Sequence, residues 1–472
     1  MRGRAIVIGA SMAGLSAARV LSDHADEVVV LERDELRDDA RPRRGVPQGR
    51  HAHAILAAGE QLIAGWYPGI VDELVERGAV RADGGDALWW QAGAFKVQAE
   101  TGITATSVSR PLLEQTVRQR LEALPNVRIR TGRSVEALAL APGRVTGVVV
   151  DGETLAADLV VDCSGRTSRL PTTLAAAGYD VAPVSQVRID MSYGTRILRR
   201  VPGDLGAAFS IVAPTPPTEP RFGVLLPIEH DRWILTVGGF HGDAAPTDDE
   251  GYAAYVRSLP TPVIADLYDG AEKLSDVMTH RLASNQRRHV EKLKKVPAGF
   301  VVLGDGVCSF NPIYGQGMSS AAQQADALDR AITRIGLADA RLPRAFYKAA
   351  AKVVANPWQI AAGSDFLHPA TTGPKPPGTD LINRYVGKVQ LATHTSPEVL
   401  RQMVRVQNLL DPPPSLMKPA MVRKVRAAAR RSPAVTGGRV APPTALPDDP
   451  PVAAPGSAHA PDVPASPARL AG

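Results

Sequence analysis

The sequence predicts an α/β protein: a doubly wound nucleotide-binding domain with an inserted β-meander, a second domain of antiparallel sheet, and a helical C-terminal cap. Three stretches carry this expectation. Residues 4–32 read as strand, tight glycine turn, helix and second strand. Residues 187–239 alternate as short strands with a clear hairpin. Residues 301–328 read as a buried strand, a Pro/Gly loop and a helix start.

Taken in order, Ala5-Ile-Val-Ile8 forms the first strand, Gly9-Ala-Ser-Met-Ala-Gly14 the turn, and the next helix runs through Asp23 to a strand ending at Glu32. Gly9 permits the turn, Gly14 lets the helix press on the strand, and Glu32 can hold a ribose hydroxyl. Ser11 stands at the second glycine position, where a small side chain still allows close approach, with Met12 and Ala13 opening the helix and Arg33 following the acid. Residues 38–54 form a loop rich in donors, in which Arg44, Gln48 and His51 are candidate contacts to a pyrophosphate or a ring. His51 and His53, two apart, do not share a helix face and do not read as a metal pair. Ser109 caps a helix with Pro111 at its first position, so Arg110 either anchors a phosphate or caps a neighbouring carbonyl.

From Val127 to Val161 the pattern becomes a β-meander, which ends in Asp162-Cys-Ser-Gly-Arg166, a turn with Asp162 and Gly165 suited to a pyrophosphate or ribose. In the second domain, Tyr193, Phe209, Phe222, Trp233 and Phe240 share one apolar face, either sheet core or pocket wall. Gly304-Asp305 then places a carboxylate beyond the end of a buried strand, where open α/β sheets bind ligands. Pro312, Gly315 and Gly317 let the backbone approach a flat ligand, and a helix begins near Gln316 and Met318 with its N–H groups free for an anion. Further helices are expected over 342–356, 380–393 and from Ser396. These readings divide the chain into a nucleotide domain (1–180 and 275–345), a sheet domain (181–274), a helical cap (346–431) and a disordered Pro/Ala-rich tail (432–472).

The net charge of +6 on 472 residues is scattered and does not favour nucleic acid. No apolar run approaches the ~18 residues of a membrane span. Two cysteines, no metal-type spacing and a first strand at the N-terminus point to a cytoplasmic protein without structural metal.

Together, Gly9-x-Ser-x-Ala-Gly14, Glu32, the Asp162 turn, Gly304-Asp305 and Pro312-x-x-Gly-Gln-Gly317 resemble the FAD-dependent monooxygenases of the aromatic hydroxylase superfamily. Arg43-Arg-Gly-Val-Pro-Gln-Gly-Arg-His-Ala-His53, Arg287-Arg-His-Val-Glu-Lys-Leu293 and Ser309-Phe-Asn-Pro-Ile-Tyr-Gly-Gln-Gly-Met-Ser319 look like a branch that includes the flavin epoxidases of polyether ionophore biosynthesis, of the lasalocid and monensin type. The resemblance implies a Rossmann-like FAD-binding domain of the para-hydroxybenzoate hydroxylase type. The N-terminal motif would hold the ADP half, Asp305 the ribityl chain, and Pro312–Met318 the isoalloxazine edge. It also implies NAD(P)H or a separate flavin reductase as electron source, O2, and a C4a-hydroperoxyflavin that epoxidises a large apolar polyene, free or carrier-protein-bound. Tyr193, Phe209, Phe222, Phe240 and Tyr314 would meet that substrate. An aromatic hydroxylase, a prenyl reductase and a non-catalytic flavin-binding accessory protein are the alternatives. Trp89-Trp90-Gln-Ala departs from the Trp-x-Trp-x-Ile-Pro of flavin halogenases. Cys308 stands where relatives often place a histidine, so the loop itself offers no base.

Overall fold

The computed structural model describes residues 3–437 and Pro442. Its frame is an all-parallel sheet in the order Phe300–Val302, Leu159–Asp162, Arg4–Ile8, Glu27–Leu31 and Val127–Arg130. These strands are covered on both faces, which is why Ala5-Ile-Val-Ile8 and Val28-Val-Val-Leu31 are continuous apolar runs without alternation. Helices Met12–Ser22 and Gly317–Ile335 lie side by side against this sheet.

The meander expected over 127–161 is shorter than predicted. Only Val135–Ala141, Arg144–Val150 and Glu153–Ala156 form the separate three-stranded sheet. Helix Arg110–Glu122 returns the chain so that Val127–Arg130 pairs parallel with Glu27–Leu31, a crossover, and the fully buried Leu159–Asp162 pairs with Arg4–Ile8.

A second, eight-stranded sheet runs Cys308–Ser309, Met278–Arg288, Val184–Arg199, Arg232–Gly239, Phe222–Ile228, Phe209–Val212, Ala87–Gln91, Ala94–Phe95. It therefore draws on chain outside residues 181–274, at both of its edges. The expected hairpin turns at His230 (φ 62) and Asp231 (φ 49), a left-handed pair matching the twist of its strands.

Helix Leu342–Asp365 does not stop at Asn356 as expected but continues through Pro357. An interior proline costs about 3 kcal/mol. Here Phe346, Tyr347, Ala350 and Val354 before it and Ala361 after it are buried, so packing on both sides holds the helix together. The last turn delivers Asp365 to the interior. Helices Thr379–Ala392, Pro397–Gln407 and Pro419–Ala429 then bury Val389, Leu400, Met403 and Val425 in a cluster of their own. The first residues of the tail expected from Ser432 are ordered: Pro433–Thr436 is a helical turn and buried Ser432 lies 2.6 Å from His394 Nδ1. From 438 on, Pro442 apart, the predicted tail lies outside the described residues. Among the described residues no helix is long and apolar enough to cross a membrane.

Candidate cofactor and substrate cavity

The carboxyl ends of the parallel strands open into a cavity of about 1570 Å³. An ordinary ligand pocket measures roughly 300–1,000 Å³, so this one has room for two molecules end to end.

At its nucleotide end the wall begins with Gly9, Ser11, Met12 and Ala13. Gly9 has φ 98, and a Cβ on Gly14 would lie 1.8 Å from the Gly9 carbonyl oxygen, so both positions require glycine. Ser11 Oγ donates to Glu114 Oε2 (3.1 Å) and accepts from Arg110 Nη2 (2.8 Å). Arg110 thus caps no carbonyl; its guanidinium stands at the helix start. Glu32 is buried and accepts from Ala10 N (2.8 Å) and Asp34 N (3.0 Å). The arginine beside it is Arg43, not Arg44, and it bridges Glu32 (3.0 Å), Asp34 (3.1 Å) and Glu114 (3.0 Å). Arg33, Arg44 and Gln48 line the same end, the two arginines exposed.

Four predicted residues do not face the cavity. Gly14 and Gly304 act by shape: Gly304 has φ 73, and a Cβ there would lie 2.7 Å from Ala13 Cβ, so strand end and helix start touch. Asp162 does not reach a ligand, because its carboxylate accepts from Ser164 N (3.0 Å), Ser164 Oγ (2.5 Å) and Ser168 Oγ (2.5 Å) beneath the turn. It folds the turn that sets Gly165 in the wall. His51 lies behind the wall, its Nδ1 2.7 Å from Thr195 Oγ1 and its ring edge-on to Tyr193 at 4.7 Å. Burial pushes its pKa down to about 3, so it is neutral. His53 lines the cavity in its place. Its Nδ1 sits 2.7 Å from the Ala52 carbonyl oxygen and must donate, which leaves Nε2 as an acceptor.

At the centre, Asp305 opens onto the cavity and accepts no hydrogen bond from the described residues. Burial raises its pKa, against the pull of Arg110 and Arg166. Beyond it, Asn311 Oδ1 accepts from Ile313 N (3.2 Å), Pro312–Tyr314 makes one 3₁₀ turn, and Gly315 (φ 64) reverses the chain into helix Gly317–Ile335. Pro312, Tyr314, Gly315, Gln316, Gly317 and Met318 all line the cavity. That helix has no acid in its first turn, and its leading N–H groups have no partner within it.

Seven buried polar atoms on this wall have no hydrogen-bond partner among the described residues; three of them lie by the glycine turn and the loop: Arg43 Nη2, Arg110 Nε (3.5 Å from Glu114 Oε2) and Gln316 Oε1. Two cationic donors near the glycine turn and one amide acceptor by the loop suit a molecule with hydroxyls and phosphates at one end and a ring N–H at the other. FAD is such a molecule, and the residues present fit it.

Past the loop the wall becomes apolar. Tyr193, Phe209, Phe222 and Phe240 all reach it from the sheet and so are pocket wall as well as sheet packing, whereas Trp233, expected on the same face, is buried with Leu225 and Leu235 in another cluster and does not line the cavity. Ile360, Ile382, Val386 and Met403 close it from the cap. Asp365 is the one ionised-type side chain of this half, and no lysine or arginine enters it. His280 and His368 do enter it. Thus the loop lacks a histidine, but the cavity does not: His53 arrives from the 43–53 motif, and His280 and His368 from two other segments that carry no local motif. Among the lining residues exposed to solvent are Arg33, Arg44 and Thr173 near the glycine turn and Leu367, Gly387, Pro414 and Met417 in the cap.

Residues 3–336 match the family described as FAD binding domain. The chain is 34% identical to Protein Rv3254 of Mycobacterium tuberculosis over 440 residues, 87% of this chain and 90% of that protein. It is 29% identical to a rifampicin monooxygenase of Streptomyces venezuelae over 253 residues, 52% of this chain and 48% of that one. Among solved structures it is similar in fold to the flavin-dependent brominase Bmp2 (TM-score 0.63, 14% identity, 90% of this chain and 98% of that chain). It is also similar to PqsL, a probable FAD-dependent monooxygenase from Pseudomonas aeruginosa (TM-score 0.55, 18% identity, 77% and 94%).

Proposed function

The chain belongs to the FAD binding domain family of aromatic-hydroxylase-type monooxygenases, and on that premise we propose that it transfers one oxygen atom to a C=C bond of a large, uncharged, apolar polyene, giving an epoxide. The observation that carries the substrate class is the far half of the cavity: long, aromatic and aliphatic, and without a cationic side chain to meet an acid.

When bound and reduced, FAD supplies the oxygen-activating chemistry. The chain's part is to hold and orient. Gly9, Ser11, Glu32, Arg43 and Arg110 would take the ADP half and its phosphates, Asp305 the ribityl hydroxyls, and Pro312–Met318 the ring. The apolar wall keeps water from the reacting atoms. Electrons come from NAD(P)H, directly or through a separate reductase. A second reading, hydroxylation of an arene, draws on His280, a neutral imidazole in the substrate half able to accept a phenolic proton; a product labelled from ¹⁸O₂ on an alkene carbon rather than a ring carbon decides against it.

The purified protein is expected to show oxidised-flavin absorbance; a colourless preparation that takes up no added FAD would refute the assignment. Asp305→Ala, which removes the unpartnered carboxylate, is expected to weaken FAD binding by about tenfold, the worth of one hydrogen bond to a charged group. Unchanged affinity would refute its role.

A further inference from the structure

One of the most densely bonded side chains on the cavity wall belongs to none of the motifs above. Asp365 is the final residue of helix Leu342–Asp365 and is 1% exposed. Its Oδ1 accepts from Asn311 Nδ2 (2.9 Å) and from the Tyr314 hydroxyl (3.2 Å). Its Oδ2 accepts from Asn285 Nδ2 (2.6 Å). Asn285 Oδ1 in turn accepts from Asn311 N (2.5 Å).

These contacts join three parts of the fold at one carboxylate. Asn285 lies in strand Met278–Arg288 of the eight-stranded sheet, Asn311 and Tyr314 flank Pro312 in the loop before helix Gly317–Ile335, and Asp365 comes from the cap. Among the described residues no arginine, lysine or histidine forms an ion pair with it. A buried carboxylate held only by neutral donors is expensive, and an amide or hydroxyl acceptor would serve packing at less cost.

We propose that Asp365 is a positioning residue of the oxygenation reaction: as a carboxylate it fixes the loop 311–317 in the conformation that receives the flavin ring, and on gaining a proton it loosens that loop. This rests on the reading of 311–317 as the flavin-contacting loop. All three donors point hydrogens at the carboxylate, so each favours the charged form. Protonation puts a hydrogen on one oxygen, and the donor there must turn away. Because Asn311 also caps the 3₁₀ turn through Ile313 N, a disturbance at Asn311 reaches Gly315 and Gln316 directly.

Burial raises the Asp365 pKa to about 6, opposed by the bonds from Asn285, Asn311 and Tyr314, so the exchange falls within the working range. Of the other titratable groups packed around it, His368 and the Tyr314 hydroxyl do not change charge there. His368, three residues on, is pushed by burial to about 4; His241, 5.7 Å from the His368 ring, is lowered by burial; the Tyr314 hydroxyl is pushed well up by burial. Asp305, on the ribityl side of the loop, is also raised by burial, and no bond joins it to Asp365.

The test uses the FAD-loaded full chain and reads the visible spectrum of the oxidised flavin, together with FAD affinity, between pH 5 and 8. The wild-type spectrum is expected to change with a midpoint near 6, with FAD held more weakly on the acid side. Asp365→Asn is expected to abolish that transition and to weaken FAD binding about tenfold at pH 7.5, where the carboxylate is otherwise charged. Tyr314→Phe removes one donor to the carboxylate and is expected to move the midpoint up by about 1 pH unit. A transition of unchanged midpoint in Asp365→Asn overturns the proposal. If Asp365→Asn does not fold, an unmoved midpoint in Tyr314→Phe overturns it as well. Wild-type protein that binds no FAD at any pH instead refutes the flavin reading itself.

Discussion

Four histidines kept as neutral rings set how this protein responds to acid. His51 is held at about 3, and His53, His368 and His394 at about 4, all by burial, against 6.5 in an unfolded chain. His394 is fixed between the Gln91 carbonyl, to which Nε2 donates, and the Ser432 hydroxyl, which must turn from donor to acceptor if Nδ1 gains a proton. Their folded pKa values are depressed, so their stabilising effect is complete above pH 6.5 and is lost as pH falls toward 4, at up to about 1.4 kcal/mol per pH unit each. Asp365 runs the other way: its pKa is raised, so the folded state gains as pH falls from about 6 toward 3.8 and offsets part of the loss. Denaturant unfolding at pH 7, 6 and 5 should show a net decline, shallower in His51→Asn, which keeps an acceptor for Thr195 and does not titrate. At this scale the sequence pointed to the residues whose role is backbone shape, such as Gly9 and Gly315. It misplaced a side chain whose direction depends on a loop, since His53 rather than His51 faces the cavity, and it assigned no role to Arg43, which meets Glu32. Asp365 carried no local signal, being separated from the loop it holds by 54 residues and a proline.

Elements fix the loop from the other side too. Helix Ala57–Trp66 meets the start of helix Gly317–Ile335 at Gly59, where an added Cβ would lie 2.6 Å from Ser319 Cα and Oγ. Ser319 Oγ also accepts from Leu56 N at 2.9 Å, so the two helix starts share one hydroxyl. Gly59→Ala must push them apart, and an overpacked contact of this kind costs about 1–3 kcal/mol. A lower melting temperature together with weaker FAD retention is expected; a stability loss alone would show that the contact holds the fold without aligning the loop. Strands and helices with strong periodicity or caps were legible in the sequence: the hairpin at 222–239, the Ser109 and Ser396 caps, the helix from Gln316. Sheet membership was not. Val127–Arg130 reads alike as a meander edge or a parallel strand, and only the crossover through Arg110–Glu122 decides it.

For the whole molecule, the cavity is the organising feature, since it takes wall residues from both large sheets and from the cap. Its substrate half is set by facing strands, as at Ile211 and Val224, which pair across the sheet and both line it. Val224→Trp is expected to leave FAD affinity and spectrum unchanged while abolishing turnover of a long polyene and sparing short alkene surrogates, read by product analysis. If both lengths lose turnover equally, the long half is not where the substrate lies. The sequence located the nucleotide end, because glycine spacing is read along the chain. It left the far end open, because that wall is assembled from segments more than 300 residues apart.

The exposed parts of the cavity wall carry a kinetic consequence for the proposed reading. One lies beside the charged end, at Arg33 and Arg44; another lies in the cap, at Leu367 and Met417. If the proposed apolar reactant enters and leaves on the cap side, it does not cross the seat of the cofactor, and saturating reactant should leave the rate of flavin loss into an apo-flavoprotein trap unchanged.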